Sequence, residues 1–394
     1  MYNFVNLVKE KNKDGINYAV YIFNLTLILY VLYTVVEAGS WNINPELFNQ
    51  FRKITVYLFY IFAILTFGIE EITNKFSFKY LIVATFLVGS ILLISLNLAD
   101  KTLFNSILMI VLTKNRDFYK IVNFYFKLLI YSTVVIVLCS FIGLTKDVVI
   151  NFSYGVGHSL GFSHPNNLGT ILFILVVTWL YLNSHKSIGV IFLVSYAIAI
   201  FDWLIPLSRT SSILLLVLPF LIIFYRWCNT KRIKKIFYFI SSISFLISFL
   251  VSFYLMFRFS LLDANSSNLY VRFTDAHQLY NLYGIHWLGN KISFVSTIES
   301  MRYNIPSVIL DNAYLRLLIY YGKLASIIYI IIFLIIGFKI DKNSNPVLMA
   351  IYLLFVIHGF MEYSMLLVQW NFLLLGVFAN FRKVIKNNEK IFEN

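Results

Sequence analysis

A chain of 394 residues that is 60% hydrophobic and only 13% charged has too little polar surface to cover a soluble globule. Apolar runs of about 18 residues or more recur along it, so the expected fold class is all-α, a polytopic integral membrane protein whose spans satisfy their own backbone as helices. A net charge of +14 would ordinarily suggest nucleic acid, but the placement of the basic residues gives it another meaning, and two cysteines, Cys139 and Cys228, are too few for a disulfide framework or a zinc site.

The first 17 residues are polar and carry Lys9, Lys11 and Lys13. The apolar run at 18–36 lacks a small-x-small cleavage site and is too long for a signal peptide, so it is expected to stay as the first helix. Further spans are predicted near 54–69, 79–96, 102–113, 124–144, 168–184, 188–205, 211–225, 236–256, 312–338, 347–361 and 364–380, about twelve in all. Three regions follow: nine helices over 1–256, a large loop at 257–311, and three helices with a tail over 312–394. With both termini cytoplasmic, about 21 of the 32 basic residues fall on inner segments and about 9 on outer ones. The charge is thus a topology signal that needs no nucleic acid. Removing the short span at 102–113 would place the basic cluster at 226–235 outside and invert the rule downstream. Trp41 and Trp203 then sit near the outer interface and Trp227 near the inner one. No internal repeat is visible, which weakens an inverted-repeat transporter.

Residues that could carry chemistry gather on the outer side. The stretch 151–169 is dense in Gly and Pro and contains His158, His164 and Asn166; it reads either as a structured turn ending in an Asn helix cap or as backbone held close to a ligand. Two histidines with no Glu or Cys beside them are a poor metal signal, and no metal is expected. Ser208, Arg209, Thr210 and Ser211 open a span with a compact donor set, suited to an anion unless Arg209 merely snorkels to headgroups. Asp202, one to two turns earlier, is placed to orient that arginine.

The insert at 257–311 is too long to be a mere connector, and is read as the lid and wall of a site facing away from the cytoplasm. Arg272 precedes Phe273, Tyr280, Tyr283 and Trp287, aromatic residues suited to stacking on sugar rings; an ordinary amphipathic surface helix is the alternative. Asp311 closes the insert either as the N-cap of the returning helix or as a functional carboxylate. Asn312 and Tyr314 follow it, and Arg316 and Lys323 lie inside the returning helix, where charge is functional by default. Glu362, near the turn between the last two spans, belongs to the same class.

The run Gly161-Phe-Ser-His164-Pro-Asn166-Asn-Leu-Gly169 resembles the His-Pro-Asn loop common in Wzy-type polysaccharide polymerases of capsule and exopolysaccharide pathways. Ser208-Arg209 opening a span, Arg272 in the large loop, and Asp311-Asn312-x-Tyr314-Leu315 running on to Gly322 resemble the wider O-antigen ligase and polymerase superfamily. In the ligases the position of Asp311 is typically His, so the departure favours a polymerase. The resemblance covers most of the chain and implies a GT-C-like bundle with one long extracytoplasmic loop in the bacterial cytoplasmic membrane. It implies a glycosyltransferase that moves a growing glycan from polyprenyl diphosphate to a hydroxyl of the next lipid-linked repeat unit. Neither metal nor other cofactor is implied, because arginines can meet a diphosphate bidentately. Arg209 and Arg272, with Arg316, would hold the diphosphate; Asp311 would act as base or orienter, with His164 or His158 at a sugar. Ser208, Asn166, Asn312, Tyr314 and Glu362 would line the cavity. Expected partners are the polyprenyl-diphosphate-linked oligosaccharide, the bilayer, and flippase and chain-length regulator proteins. The competing readings are a lipid-linked-oligosaccharide flippase or other transporter, a ligase-like glycan transferase, a membrane O-acyltransferase, and a structural subunit.

Overall fold

The computed structural model describes residues 18–152, 154–229, 233–259, 268–296, 299–300 and 303–381. Lys9, Lys11, Lys13, Lys231, Arg232, Arg302 and the tail bearing Arg382, Lys383, Lys386 and Lys390 lie outside the described residues, as do the two termini whose cytoplasmic placement the charge count predicts.

Helices begin where the sequence supplies a cap. After α1 (Tyr18–Ala38), α2 (Pro45–Asn74) starts on Asn44, whose side chain accepts from the Glu46 amide at 2.9 Å, and on Pro45 in the first turn. Ser77 caps α3 (Phe78–Leu98). Ala99 then turns in the left-handed region, with φ 57°, toward α4 (Thr102–Leu112). With 11 residues, α4 is about 16 Å long. Asp117 caps α5 (Phe118–Phe141), accepting from the amides of Tyr119 and Lys120. An antiparallel hairpin follows, β1 (Val149–Phe152) with β2 (Gly155–His158), pairing Val149 with His158. The all-helical expectation missed it, since two four-residue strands are too short to show a period-2 pattern against long apolar runs.

The chain continues through α6 (Pro165–Leu182), α7 (Ile188–Leu204), α8 (Arg209–Asn229), α9 (Lys234–Ser242), α10 (Ser244–Phe259) and α11 (Asn268–Tyr283). It returns through α12 (Ala313–Arg316), a π turn at Leu317–Tyr321, α13 (Gly322–Asn343) and α14 (Pro346–His358). Among the described residues, seven helical stretches are long and apolar enough to cross a membrane: α1, α2, α3, α5, α6, α8 and Ala313–Asn343. The pair α9 and α10, bent by 54°, makes an eighth when taken as one span. The chain is therefore a polytopic, predominantly helical membrane protein.

Three predicted spans differ from the straight helices expected. The span at 236–256 is broken between α9 and α10. The span at 312–338 is interrupted by the π turn and by Gly322, whose φ of 90° and ψ of 176° leave the helical region. The span at 364–380 forms no α-helix. It is a chain of three 3₁₀ turns, Tyr363–Leu366, Val368–Trp370 and Phe372–Gly376, almost wholly buried.

Asn371 explains part of that last difference: its side chain accepts from the Leu373 amide at 3.1 Å and donates to the Met365 carbonyl at 2.9 Å, competing with a helical ladder. Irregular backbone buried in this way has to find partners in the surrounding protein. Ser106 of α4 accepts from the Val368 amide at 3.2 Å, Tyr125 of α5 donates to the Gln369 carbonyl at 2.7 Å, and Tyr329 of α13 donates to the Leu366 carbonyl at 3.0 Å. Tyr30 of α1 donates to the Gln369 side chain. Lys339 of α13 closes the pass by donating to the carbonyls of Gly376, Val377 and Ala379.

The bundle has two dissimilar ends. At one, the hairpin, α11 and the turn at Asp100 gather; Gly39 bridges to Phe162 and Trp41 to Thr145. At the other, a buried ion pair joins Arg116 to Glu70 at 2.6 Å, and the Asn380 amide donates to the Arg116 carbonyl at 2.8 Å.

Candidate functional site

The hairpin end holds two polar groupings. The larger is built by α11 lying on α10. Phe273, Ala276 and Leu279, three residues apart, are buried on one face. Phe259 packs on Tyr270 and Phe273 with ring centres 4.3 and 5.6 Å apart, and Phe257 packs on Tyr280 at 5.2 Å. Phe273 and Tyr280 are thus spent on holding the helix; of the four aromatic residues proposed for sugar stacking, only Tyr283 and Trp287 are exposed.

This packing sets Arg272 over Asp311, with Nη1 to Oδ2 at 3.1 Å, while Nη1 also donates to the Met361 carbonyl. Asp311 does not cap the returning helix. Asn312 does, accepting from the amides of Tyr314 at 3.1 Å and Leu315 at 3.0 Å. The Asn312 amide group donates to Ser252 and to the Phe360 carbonyl, each at 3.3 Å. Tyr314 is fully buried with its hydroxyl on the Val356 carbonyl at 2.6 Å. Both serve the packing of the helix start.

Three carboxyl groups share the cluster. Burial pushes Asp311 above the usual carboxylate range, opposed by the charges of Arg272 and Arg316. Burial, then the charge of Asp311, pushes Glu362 up to about 8, with Arg272 pulling the other way. Asp275 is raised by the same causes in the same order. Arg316 stands beside them in an aromatic cage, its guanidinium 3.7 Å from the ring centre of Tyr363 and 4.3 Å from that of Phe294. It donates to the Leu310 carbonyl at 3.3 Å, but its Nε is buried with no hydrogen-bond partner among the described residues.

The π turn presents Tyr320 and Tyr321 together, and both hydroxyls donate to Asp100, at 3.3 and 3.1 Å. The loop after α11 takes up the backbone groups that this turn frees. Asn290 donates to the Tyr320 and Ile319 carbonyls at 3.0 and 2.8 Å, and the carbonyls of His286 and Trp287 accept from the amides of Lys323 and Leu324. Asn97 donates to the Leu288 carbonyl at 3.1 Å.

The smaller grouping lies on the hairpin. His158 Nδ1 bonds Asp147 at 2.6 Å, and the amides of Ser159 and Leu160 donate to the same carboxylate. Burial works against the charge of Asp147, but these hydrogen bonds hold its pKa below the usual range. Arg209 is exposed, its guanidinium 3.2 Å from the ring centre of Tyr154 and 5.8 Å from that of Trp203. Asp202 does not orient Arg209. Its buried carboxylate turns inward to accept from Ser212 at 3.2 Å, close against Gly169, and leaves Oδ1 without a partner among the described residues. Ser208 is buried beside it, its amide donating to the Asp202 carbonyl at 3.2 Å. His164 itself caps α6, its Nδ1 accepting from the Asn166 amide at 3.0 Å; the cap was expected from an Asn. Burial lowers its pKa, which suits a neutral accepting ring. Asn166 sits half-buried in the first turn of α6.

The structure therefore gathers Arg272, Asp311, Asn312, Tyr314, Arg316 and Glu362 around one cluster. His158 and Arg209 belong to the hairpin, and His164, Asn166 and Ser208 to the junction of α6 and α8. Sequence reasoning missed Asp100, Asp147, Asp275 and Tyr363. Asp100, a lone acid between two apolar runs, was the signal that could have been read.

Fold and cluster together define a membrane-embedded helical bundle with an arginine–carboxylate centre at one end. No protein-family model, no curated protein and no solved structure matches the chain.

Proposed function

We infer that the chain is a membrane glycosyltransferase of the polysaccharide-polymerase kind, which transfers a growing glycan from polyprenyl diphosphate to a hydroxyl of the next lipid-linked repeat unit. The observation that carries this reading is the Arg272–Asp311 pair at 3.1 Å. The large insert supplies one partner and its closing residue the other, and Asn312 relieves Asp311 of capping.

A diphosphate is a better bidentate partner for a guanidinium than a single carboxylate, so its arrival draws Arg272 away from Asp311. Arg316, with its unpartnered Nε, supplies a second guanidinium. Asp311 then takes the proton of the acceptor hydroxyl as that oxygen attacks the anomeric carbon. The bond from this carbon to the diphosphate breaks, and polyprenyl diphosphate departs with the electron pair, its charge held by the arginines. Asp311 then gives the proton up to solvent, while Glu362, pushed up to about 8 by burial and the charge of Asp311, keeps its own proton beside it. Trp287 and Tyr283 offer exposed faces to sugars, and His158, His164 and Arg209 extend the site along the hairpin end.

In this reading the chain crosses the bacterial cytoplasmic membrane twelve times, with both termini inside and 257–311 outside. The eight spans above, the shorter helices α4, α7 and α14, and the irregular last pass supply the crossings. The Lys and Arg distribution supports the orientation.

The test is purified protein in proteoliposomes supplied with a lipid-linked repeat unit. A ladder of chain lengths is expected from the wild type. Asp311→Asn and Arg272→Lys should each cut chain growth by about 100-fold or more while thermal stability stays near wild type, because the Asn312 cap is untouched. Repeat units that stay at single length with the wild-type protein, or cross the bilayer unlengthened, overturn the reading.

A further inference from the structure

At the Arg116 end, two neighbouring hollows lie along α13 and share Lys339 and Lys342 in their walls. The first, of about 300 Å³, is lined by Lys114, Asn115, Lys339, Lys342 and Asn343 with the chain at 378–381 as its floor. Among the described residues its lining includes three lysines and no carboxylate. The second, of about 400 Å³, is a groove along Ile331, Leu334, Ile335 and Phe338 that ends on the same Lys339 and Lys342. Its apolar residues recur at helical spacing on one exposed face, with Ile331 50% and Phe338 41% accessible.

Snorkelling explains one lysine at the end of a spanning helix. It does not explain why three line one hollow, where like charges repel in a medium of reduced dielectric. The Lys339 ammonium is fixed by three carbonyls of the last pass, and the Lys114 ammonium is near enough to repel it while lying 5.3 Å from the ring centre of Tyr80. Lys342 is exposed at the rim shared by the hollow and the groove.

We propose that this end of α13 binds an anionic phospholipid, its phosphate in the lysine hollow and an acyl chain along the Ile331–Phe338 groove. The apolar groove ending on the same two lysines selects a lipid over a free anion, because a free anion needs no apolar extension. Basic pockets between spanning helices are where acidic headgroups bind. The inference stands apart from the glycan reading and from the opposite end of the bundle.

Native mass spectrometry of the full chain in a neutral maltoside detergent tests it, with phosphatidylglycerol, phosphatidylcholine of the same acyl chains, and glycerol 3-phosphate as probes. Phosphatidylglycerol should be retained and phosphatidylcholine should not. The double variant Lys114→Gln, Lys342→Gln should weaken phosphatidylglycerol binding by about 30-fold. Glycerol 3-phosphate should fail to displace the lipid. Equal retention of the two lipids by the wild-type chain overturns the proposal, as does unchanged preference in the double variant. Displacement by glycerol 3-phosphate at concentrations similar to the lipid would make the hollow a free-anion site and overturn it too.

Discussion

Glu362 gives the arginine–carboxylate cluster a pH dependence whose direction can be stated. Its pKa rises from an ordinary 4.5 to about 8 because burial and Asp311 both oppose its charge. The folded state then binds this proton more tightly than the unfolded chain does. Between those two values each rise in pH costs the fold something, and the cost is complete above the higher one. Glu362→Gln removes the charge and the cost together. Thermal unfolding of the purified protein should show the variant gaining on wild type as pH goes from 5 to 9, and a gap that does not widen would count against the assignment. Much of this cluster was legible as residues: Arg272, Asp311, Arg316 and Glu362 are charges where an apolar chain has few. Their partners were not legible. Nothing in the spacing says that Asn312 rather than Asp311 takes the amides, or that Asp100, some two hundred residues earlier, accepts from Tyr320 and Tyr321.

At the scale of elements, the start of α13 depends on two glycines meeting. A Cβ on Gly322 would come within 2.7 Å of the His286 and Trp287 carbonyls, and its φ of 90° disfavours any other residue. A Cβ on Gly289 would strike the backbone at Tyr320. Gly322→Ala should therefore destabilise by about 1 kcal/mol or more and loosen the loop that spans Gly284 to Asn290. Unfolding in detergent measures the first effect, and amide exchange at Lys323 and Leu324, whose amides bond that loop, measures the second. Wild-type values for both would mean that the contact is not holding the turn. Hydropathy located nearly every element because burial in lipid is a one-dimensional property of the chain. It could not see the break at Gly322, the bend between α9 and α10, or the collapse of 364–380 into 3₁₀ turns. Each of these is stabilised by groups distant in sequence.

For the molecule as a whole, the far end is tied by a charge pair that the orientation count treated only as a loop arginine. Arg116 and Glu70 are both buried and 2.6 Å apart, with the Arg116 guanidinium 4.3 Å from the ring centre of Phe23. Removing one partner strands the other, so Arg116→Ala should cost about 3–5 kcal/mol, read as a fall in the unfolding midpoint in detergent. A loss under about 1 kcal/mol would mean that water reaches the pair and that it behaves as a surface bridge.

The irregular stretch 363–376 also depends on its neighbours in a way that no regular helix of the bundle does. A segment whose carbonyls and amides are met by Ser106, Tyr125, Tyr329 and Lys339 cannot wait alone in hydrocarbon, where each unmet group is costly. Every one of those donors and acceptors lies upstream of it. The strip 363–376 is thus seated in a shaft rimmed with hydroxyls, and its fit there is closer to a key in a lock than to a helix partitioned into oil.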